Sequence, residues 1–192
     1  DGEVVAAAAN DGSVWLWTLD GAPGEHRVLQ DHLDGVTGIA FAPDGLTMAS
    51  VSRDYSILLW PVVDLEPQSD LFGTHGRWIS DVAFSPDGLK LATAAVDETA
   101  RSWDVATGNV DFSLEGHEGT VYAVTFSPDG SLLASAGADG RVNIWDAATG
   151  DLLHTLAAEE GGILSVAFSP DSRLLATAGT DGTVLLWGVP NN

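Results

Sequence analysis

Residues 116–146 read GHEGTVYAVTFSPDGSLLASAGADGRVNIWD, and this stretch contains three short strand patterns separated by tight turns. Val121 to Phe126 is rich in β-branched and aromatic residues, which favour strands. Pro128-Asp129-Gly130 then supplies a fixed φ followed by a residue that tolerates the left-handed conformation, as a hairpin requires. Leu132 to Ala136 and Val142 to Trp145 are the next two strand patterns, and a fourth alternating pattern follows. The stretch therefore predicts one small antiparallel sheet.

The same unit occurs five times along the chain. Its Trp residues follow one another at intervals of 43, 43, 42 and 42 residues: Trp17, Trp60, Trp103, Trp145 and Trp187. An Asp stands six residues before each of them: Asp11, Asp54, Asp97, Asp139 and Asp181. A long constant period is typical of proteins built by stacking one supersecondary unit.

The strand patterns also indicate how the sheets pack. VAFS at 82–85 and LLATAG at 174–179 are apolar or small at both alternating positions, so we expect each sheet to be covered on both faces. Radially stacked blades have this property, whereas a sandwich leaves one face of each sheet wet. The spacing of apolar residues nowhere requires a helix.

With these features the sequence resembles the WD-repeat (WD40) β-propeller family over essentially its whole length. The Trp-Asp pair that names the family stands at Trp103-Asp104 and Trp145-Asp146, and the Gly-His pair stands at Gly116-His117. The other copies depart from these pairs at Trp17-Thr18, Trp60-Pro61, Trp187-Gly188, Asp31-His32 and Thr74-His75. The resemblance implies an all-β propeller of four-stranded antiparallel blades.

The repeat also predicts the domain organisation. We expect a partial blade over residues 1–30, repeats over 31–73, 74–115 and 116–157, and a last repeat over 158–192 that lacks the outermost strand. These units contain 18 strands, or about four and a half blades. The two ends supply overlapping strands instead of complementary ones. We therefore expect either a piece of a larger propeller or an arc that closes with another copy.

A set of four polar residues recurs in three of the units. Each set has a His 22 residues before the Asp and a Ser or Thr four residues before it: His32, Ser50, Asp54, Trp60; His75, Thr93, Asp97, Trp103; and His117, Ser135, Asp139, Trp145. The resemblance implies that they hydrogen-bond in series, from the indole N–H through the hydroxyl and the His to the carboxylate. Glu159 replaces the His of the last unit, so we predict that this network is broken or that Glu159 turns to solvent. Ala7 replaces the hydroxyl of the first unit and leaves Asp11 and Trp17 without a network.

A linked Ser, His and Asp also suggest a hydrolytic triad. The set recurs at constant spacing, however, and its Trp would occupy the hydroxyl. No Gly-x-Ser-x-Gly turn surrounds Ser50 or Ser135. We therefore predict a structural role for these residues and no catalytic residues.

Composition excludes several other classes of function. With 28 acidic and 7 basic residues the net charge is −21, which repels a nucleic acid. No apolar run approaches the roughly 18 residues of a membrane helix. The absence of Cys rules out a disulfide framework, is compatible with a reducing compartment, and leads us to expect a cytoplasmic location. No His and carboxylate cluster has metal-site spacing and no calcium loop occurs, so we expect no metal and no cofactor.

The family resemblance places a partner peptide or protein on the face where the loops entering strand one meet those between strands two and three. At these positions the only concentration of arginine and aromatic side chains is Arg53, Arg77, Trp78 and Tyr122, residue types that dominate binding hot spots. Two arginines beside an exposed Trp suit a peptide carrying a carboxylate or another acceptor. The alternative is that Trp78 covers its own loop and Arg53 pairs with a nearby Asp.

We therefore expect a non-catalytic scaffold for protein–protein interaction. Two alternatives remain open: a sensor or regulatory segment of a larger bacterial kinase or NTPase, as the resemblance suggests, and a structural segment that self-assembles. An enzyme would need convergent polar groups with shifted pKa values at the channel mouth. The sequence instead has small or apolar residues at most of these positions: Gly35, Thr37, Ser80, Thr120, Gly162 and Leu164.

Overall fold

The computed structural model describes residues 3–19, 25–62, 70–157 and 161–189, and its regular elements are all β-strands. The strands form five sheets, which we call blades 1 to 5 in chain order. Blade 1 contains β1 (Val4–Ala8), β2 (Val14–Thr18) and β3 (Arg27–Leu29); blade 2 contains β4 (Val36–Phe41), β5 (Thr47–Ser52), β6 (Ser56–Pro61) and β7 (Asp70–Thr74). Blade 3 contains β8 (Ile79–Phe84), β9 (Lys90–Ala95), β10 (Ala100–Asp104) and β11 (Val110–Leu114); blade 4 contains β12 (Val121–Phe126), β13 (Leu132–Gly137), β14 (Arg141–Asp146) and β15 (Leu152–Ala157); blade 5 contains β16 (Ile163–Phe168), β17 (Leu174–Gly179) and β18 (Val184–Gly188).

Within each blade, strands that follow one another in the chain pair antiparallel. The predicted fold class, an all-β set of antiparallel propeller blades, is confirmed. The described strands number three, four, four, four and three from blade 1 to blade 5, the distribution that the repeat predicts. None of the described residues belongs to a helix that could cross a membrane.

The Pro-Asp turns join the first two strands of blades 2 to 5. In blade 4 the Gly130 amide donates to the Ser127 carbonyl at 2.8 Å, and Gly130 has φ 75°. The Asp129 carboxylate accepts hydrogen bonds from the Ser127 hydroxyl and from the Ser131 amide. These bonds lower the pKa of Asp129 to about 2, because they stabilise the ionised form. The Asp side chain is thus part of the turn that sets the hairpin register.

The apolar cores of the described residues lie between consecutive blades. One core joins Ala49, Val51 and Ile57 of blade 2 to Leu91 and Trp103 of blade 3, and all five are buried. The junctions of blades 1 and 2, blades 3 and 4, and blades 4 and 5 repeat this arrangement. Each interior blade is therefore buried on both faces, which is why its strands carry apolar or small residues at consecutive positions.

The innermost strands β4, β8, β12 and β16 lie side by side, and each has a bulge after its first residue. A bulge redirects a side chain out of the regular alternation. The redirected hydroxyls of Thr37 and Ser80 donate to the carbonyls of Ile79 and Val121 on the next innermost strand. These bonds link blade 2 to blade 3 and blade 3 to blade 4.

Candidate functional site

The recurring polar sets form continuous hydrogen-bonded chains in blades 2, 3 and 4. In blade 3 the Trp103 indole N–H donates to Thr93 Oγ1 at 2.9 Å, and Thr93 Oγ1 lies 2.7 Å from His75 Nε2. His75 Nδ1 lies 3.0 Å from Asp97 Oδ2. Since a carboxylate only accepts, Nδ1 carries the proton and Nε2 accepts from the hydroxyl. The same chain connects Trp60, Ser50, His32 and Asp54 in blade 2 and Trp145, Ser135, His117 and Asp139 in blade 4.

Burial keeps His32 and His75 neutral. Removal from water lowers the pKa of His75 to about 4, although Asp97 acts in the opposite direction. Burial also lowers the pKa of His32. For Asp97 itself burial acts to raise the pKa, but the hydrogen bond from Thr99 and the His75 contact outweigh it, so the pKa is lowered. A neutral His between a hydroxyl and a carboxylate makes a fixed structural link.

The geometry gives the linked hydroxyls no route to a substrate. Ser50, Thr93 and Ser135 have no exposed surface, and each accepts a hydrogen bond from a buried Trp indole. A nucleophile must reach its substrate and must not be capped by a neighbouring donor. These groups therefore hold the turn between strands two and three of a blade against the segment that enters strand one of the same blade.

Among the described residues, the networks of the outer units are shorter. In blade 5 the Trp187 indole donates to Thr177 Oγ1 at 3.1 Å. The predicted consequence of Glu159 falls outside the described residues. In blade 1 the Asp11 carboxylate accepts from the Ser13 hydroxyl, and Trp15 rather than Trp17 donates to that hydroxyl.

The predicted partner-binding residues lie at one end of the strands. We call this end the loop face, because the segments that enter strand one of each blade meet the turns between strands two and three there. Arg53 is in the turn between β5 and β6, and its amide donates to the Gly35 carbonyl at the start of the same blade. Arg77 and Trp78 directly precede β8, and Tyr122 is the bulge residue of β12. The equivalent backbone bond in blade 3 runs from the Val96 amide to the Trp78 carbonyl. Each turn is thus tied to the beginning of the innermost strand of its own blade. Because the innermost strands of blades 2, 3 and 4 lie side by side, these turns are neighbours at this face.

Arg53 and Trp78 contact each other across blades 2 and 3. The Arg53 guanidinium carbon lies 5.5 Å from the centroid of the Trp78 ring, within cation–π range, and Trp78 remains 48% exposed. Neither Arg53 nor Arg77 has a carboxylate within 4 Å among the described residues. Within the described residues Arg53 therefore contacts Trp78 of the next blade and pairs with no Asp, an arrangement that the sequence did not predict.

Two adjoining pockets share Trp78 and Val96. The first, of about 480 Å³, is also lined by Tyr55 and Arg77. The second, of about 450 Å³, is lined by Arg53 and Tyr122 together with residues of the strand entries. The structure therefore brings Arg53, Trp78 and Tyr122 to one pocket and places Arg77 in the neighbouring one, which Trp78 also lines.

Tyr55 lines a loop-face pocket but is not among the partner-binding residues that the sequence predicts. It follows Asp54 in the turn, at a position that is occupied by Gly12, Gly140 and Gly182 in three other units, and it has φ 76°. A bulky residue in the left-handed region is a rare and unfavourable choice. The signal was available: an aromatic residue replaces a Gly at a turn position of the loop face.

Asp81 was also missed. It follows the bulge of β8, and its carboxylate accepts from the amides of Val82 and Val124, so it bridges two innermost strands. Burial raises the pKa of Asp81 to about 6, although both hydrogen bonds act to lower it.

Among the described residues no cluster of three potential metal ligands occurs.

Comparison with known families agrees with this geometry. The model of the WD domain, G-beta repeat, matches residues 24–61, 66–104, 108–146 and 150–188. A search of curated proteins found no match. The four matched repeats cover most of the sequence. The linked Trp, hydroxyl, His and Asp side chains of blades 2, 3 and 4 agree with this match. The chain therefore belongs to the WD-repeat (WD40) family.

Proposed function

We propose that this chain is a non-catalytic scaffold that binds a peptide or protein partner on its loop face, at Arg53, Arg77, Trp78 and Tyr122. WD repeats are generally protein-interaction scaffolds. The observation that carries the proposal is the half-exposed Trp78, which makes a cation–π contact with Arg53 and lines two pockets. An aromatic anchor with arginine beside it is the usual composition of a binding hot spot.

A peptide-display library panned on the purified chain tests this function. Peptides enriched on the wild type should lose binding to Trp78→Ala and to Arg77→Ala. Neither variant should change the thermal melt, because both side chains are exposed and surface substitutions usually cost less than about 0.5 kcal/mol. Arg173→Ala is the matched control, since Arg173 lies in the β16–β17 turn at the opposite end of the strands. Enriched peptides that bind Trp78→Ala as well as the wild type would refute the proposal.

Self-assembly has one supporting observation of its own. On blade 5, the face that corresponds to the covered face of blade 2 exposes Val184 at 69% and Leu186 at 70%. Contiguous exposed apolar surface marks interaction sites. Light scattering over a range of protein concentrations tests this second function. A mass that rises to that of a discrete dimer supports it, and a constant monomer mass excludes it.

A further inference from the structure

The two loop-face pockets are built alike. Each contains one arginine and one tyrosine, Arg77 with Tyr55 in the first and Arg53 with Tyr122 in the second. The Trp78 indole lines both pockets. Because the two pockets share one aromatic ring and each contains one arginine, they suit a ligand with two equivalent polar groups joined by a spacer.

The charges of the pockets indicate which polar groups fit. Neither guanidinium forms an ion pair or a hydrogen bond with the described residues, although the whole chain carries a net charge of −21. The Arg53 guanidinium lies over the Trp78 ring at 5.5 Å, a cation–π contact that occupies none of its hydrogen-bonding positions with a protein acceptor. A planar carboxylate accepts two guanidinium N–H donors at once. The tyrosine hydroxyl of each pocket offers a further donor.

A carboxylate suits these pockets better than a phosphate does. Each pocket holds a single arginine, which balances one carboxylate charge but not a phosphate dianion. The surplus of acidic residues on the chain adds repulsion for every further negative charge on the ligand. The two arginines of the pockets, which pair with no carboxylate among the described residues, supply the attraction for an anion that approaches this face.

We propose, building on the loop-face function above, that the partner is an extended acidic segment with two carboxylates on alternate residues, one in each pocket, with its backbone crossing Trp78. Alternate side chains of an extended peptide point to the same side and are separated by roughly 6.6 Å. The residue between the two carboxylates points away from the protein and needs no particular identity.

The test is a titration of the full chain with capped seven-residue peptides of glycine, serine and alanine. The probe has glutamates at its third and fifth positions, and its analogues replace one or both of them with glutamine. Binding is followed by calorimetry. Each glutamate replaced should weaken binding about fivefold to tenfold. Raising the salt concentration should weaken the doubly acidic probe the most.

Two arginine variants identify the pockets. Arg53→Gln and Arg77→Gln should each bind the doubly acidic probe about as weakly as the wild type binds a singly acidic one. Each variant should respond to only one of the two glutamates, because the other carboxylate has lost its partner. Arg141→Gln is the control, since Arg141 pairs with Glu118 and lines neither pocket.

The outcomes separate this inference from the function on which it rests. Equal affinity for all the peptides, with all of them weakened by Trp78→Ala, would overturn the acidic specificity and leave the loop-face function intact. Tighter binding of a phosphoserine analogue than of the glutamate probe would also overturn it. Binding that is independent of Trp78 and of both arginines would contradict both proposals.

Discussion

Blade 2 and blade 5 carry the same pattern on corresponding faces, but their burial differs. Ala49, Val51 and Ile57 of blade 2 have no exposed surface, because blade 3 covers them. Their counterparts on blade 5 include Val184, which is 69% exposed. The free energy of burial therefore depends on the neighbouring blade and not on the repeat sequence.

The comparison predicts its largest effect in the apolar faces. Ile57→Ala should lower the free energy of unfolding by about 3 kcal/mol, because it removes buried methyl groups and leaves a cavity. Val184→Ala should cost less than about 0.5 kcal/mol. Urea denaturation measures both. Val51→Ala is the chemically matched control, since it removes the same atoms as Val184→Ala from a fully buried site. A cost for Val184→Ala that grows with protein concentration would show that another copy covers blade 5.

Acid should affect blade 3 through His75. The unfolded histidine has a pKa near 6.5 and the folded one about 4, so the unfolded state binds more protons between these values. Stability from this group is complete above about pH 6.5 and falls by up to about 3 kcal/mol as the pH approaches 4.

Comparison with His75→Gln isolates this contribution. Asp81, with its pKa raised to about 6, acts in the opposite direction over much of the same range and is present in both proteins. The difference in unfolding free energy between wild type and variant should therefore shrink from pH 7 to pH 4.5. A difference that stays constant would show that His75 titrates alike in the folded and unfolded states.

The polar networks should show an intermediate effect. Thr93→Val leaves the buried Trp103 indole and His75 without their shared partner and should cost about 2 kcal/mol. Thr177→Val should cost only about 0.5 kcal/mol, because the Trp187 indole in blade 5 is partly exposed and water can replace the hydroxyl. Thermal melts compare the two variants. Equal costs would mean that the Trp–hydroxyl bond contributes alike with and without the rest of the network.

The smallest effect expected concerns the loop-face turns. Tyr55→Gly and Glu98→Gly replace residues with φ 76° and 70° by the one that adopts this conformation without strain, so each should stabilise the fold by about 0.5 to 1 kcal/mol. Only Tyr55→Gly should weaken binding of the acidic probe, since Tyr55 lines a pocket and Glu98 does not. A loss of stability in Tyr55→Gly would show that the tyrosine contributes more by packing than its backbone conformation costs.

Much of the fold was predictable because its determinants are local. The period of 42 to 43 residues places strands and Pro-Asp turns within one unit, and in blades 2, 3 and 4 the Trp, hydroxyl, His and Asp set forms its hydrogen bonds within that unit. Trp78 was found because an aromatic stands where most units have a small residue. Tyr55 was not predicted because the equivalent turn position holds Gly in three other units, and a Gly position gives no indication of a side chain at the loop face.

The amino-acid sequence determines the repeat, the strand order within each blade and the polar set that secures each turn, since these depend on spacings inside one unit. Tertiary structure alone decides which faces are buried, that Arg53 makes a cation–π contact with Trp78, and that two pockets share that indole. These features join side chains from different blades. Their positions depend on how neighbouring blades pack, and no spacing within a single repeat encodes that packing.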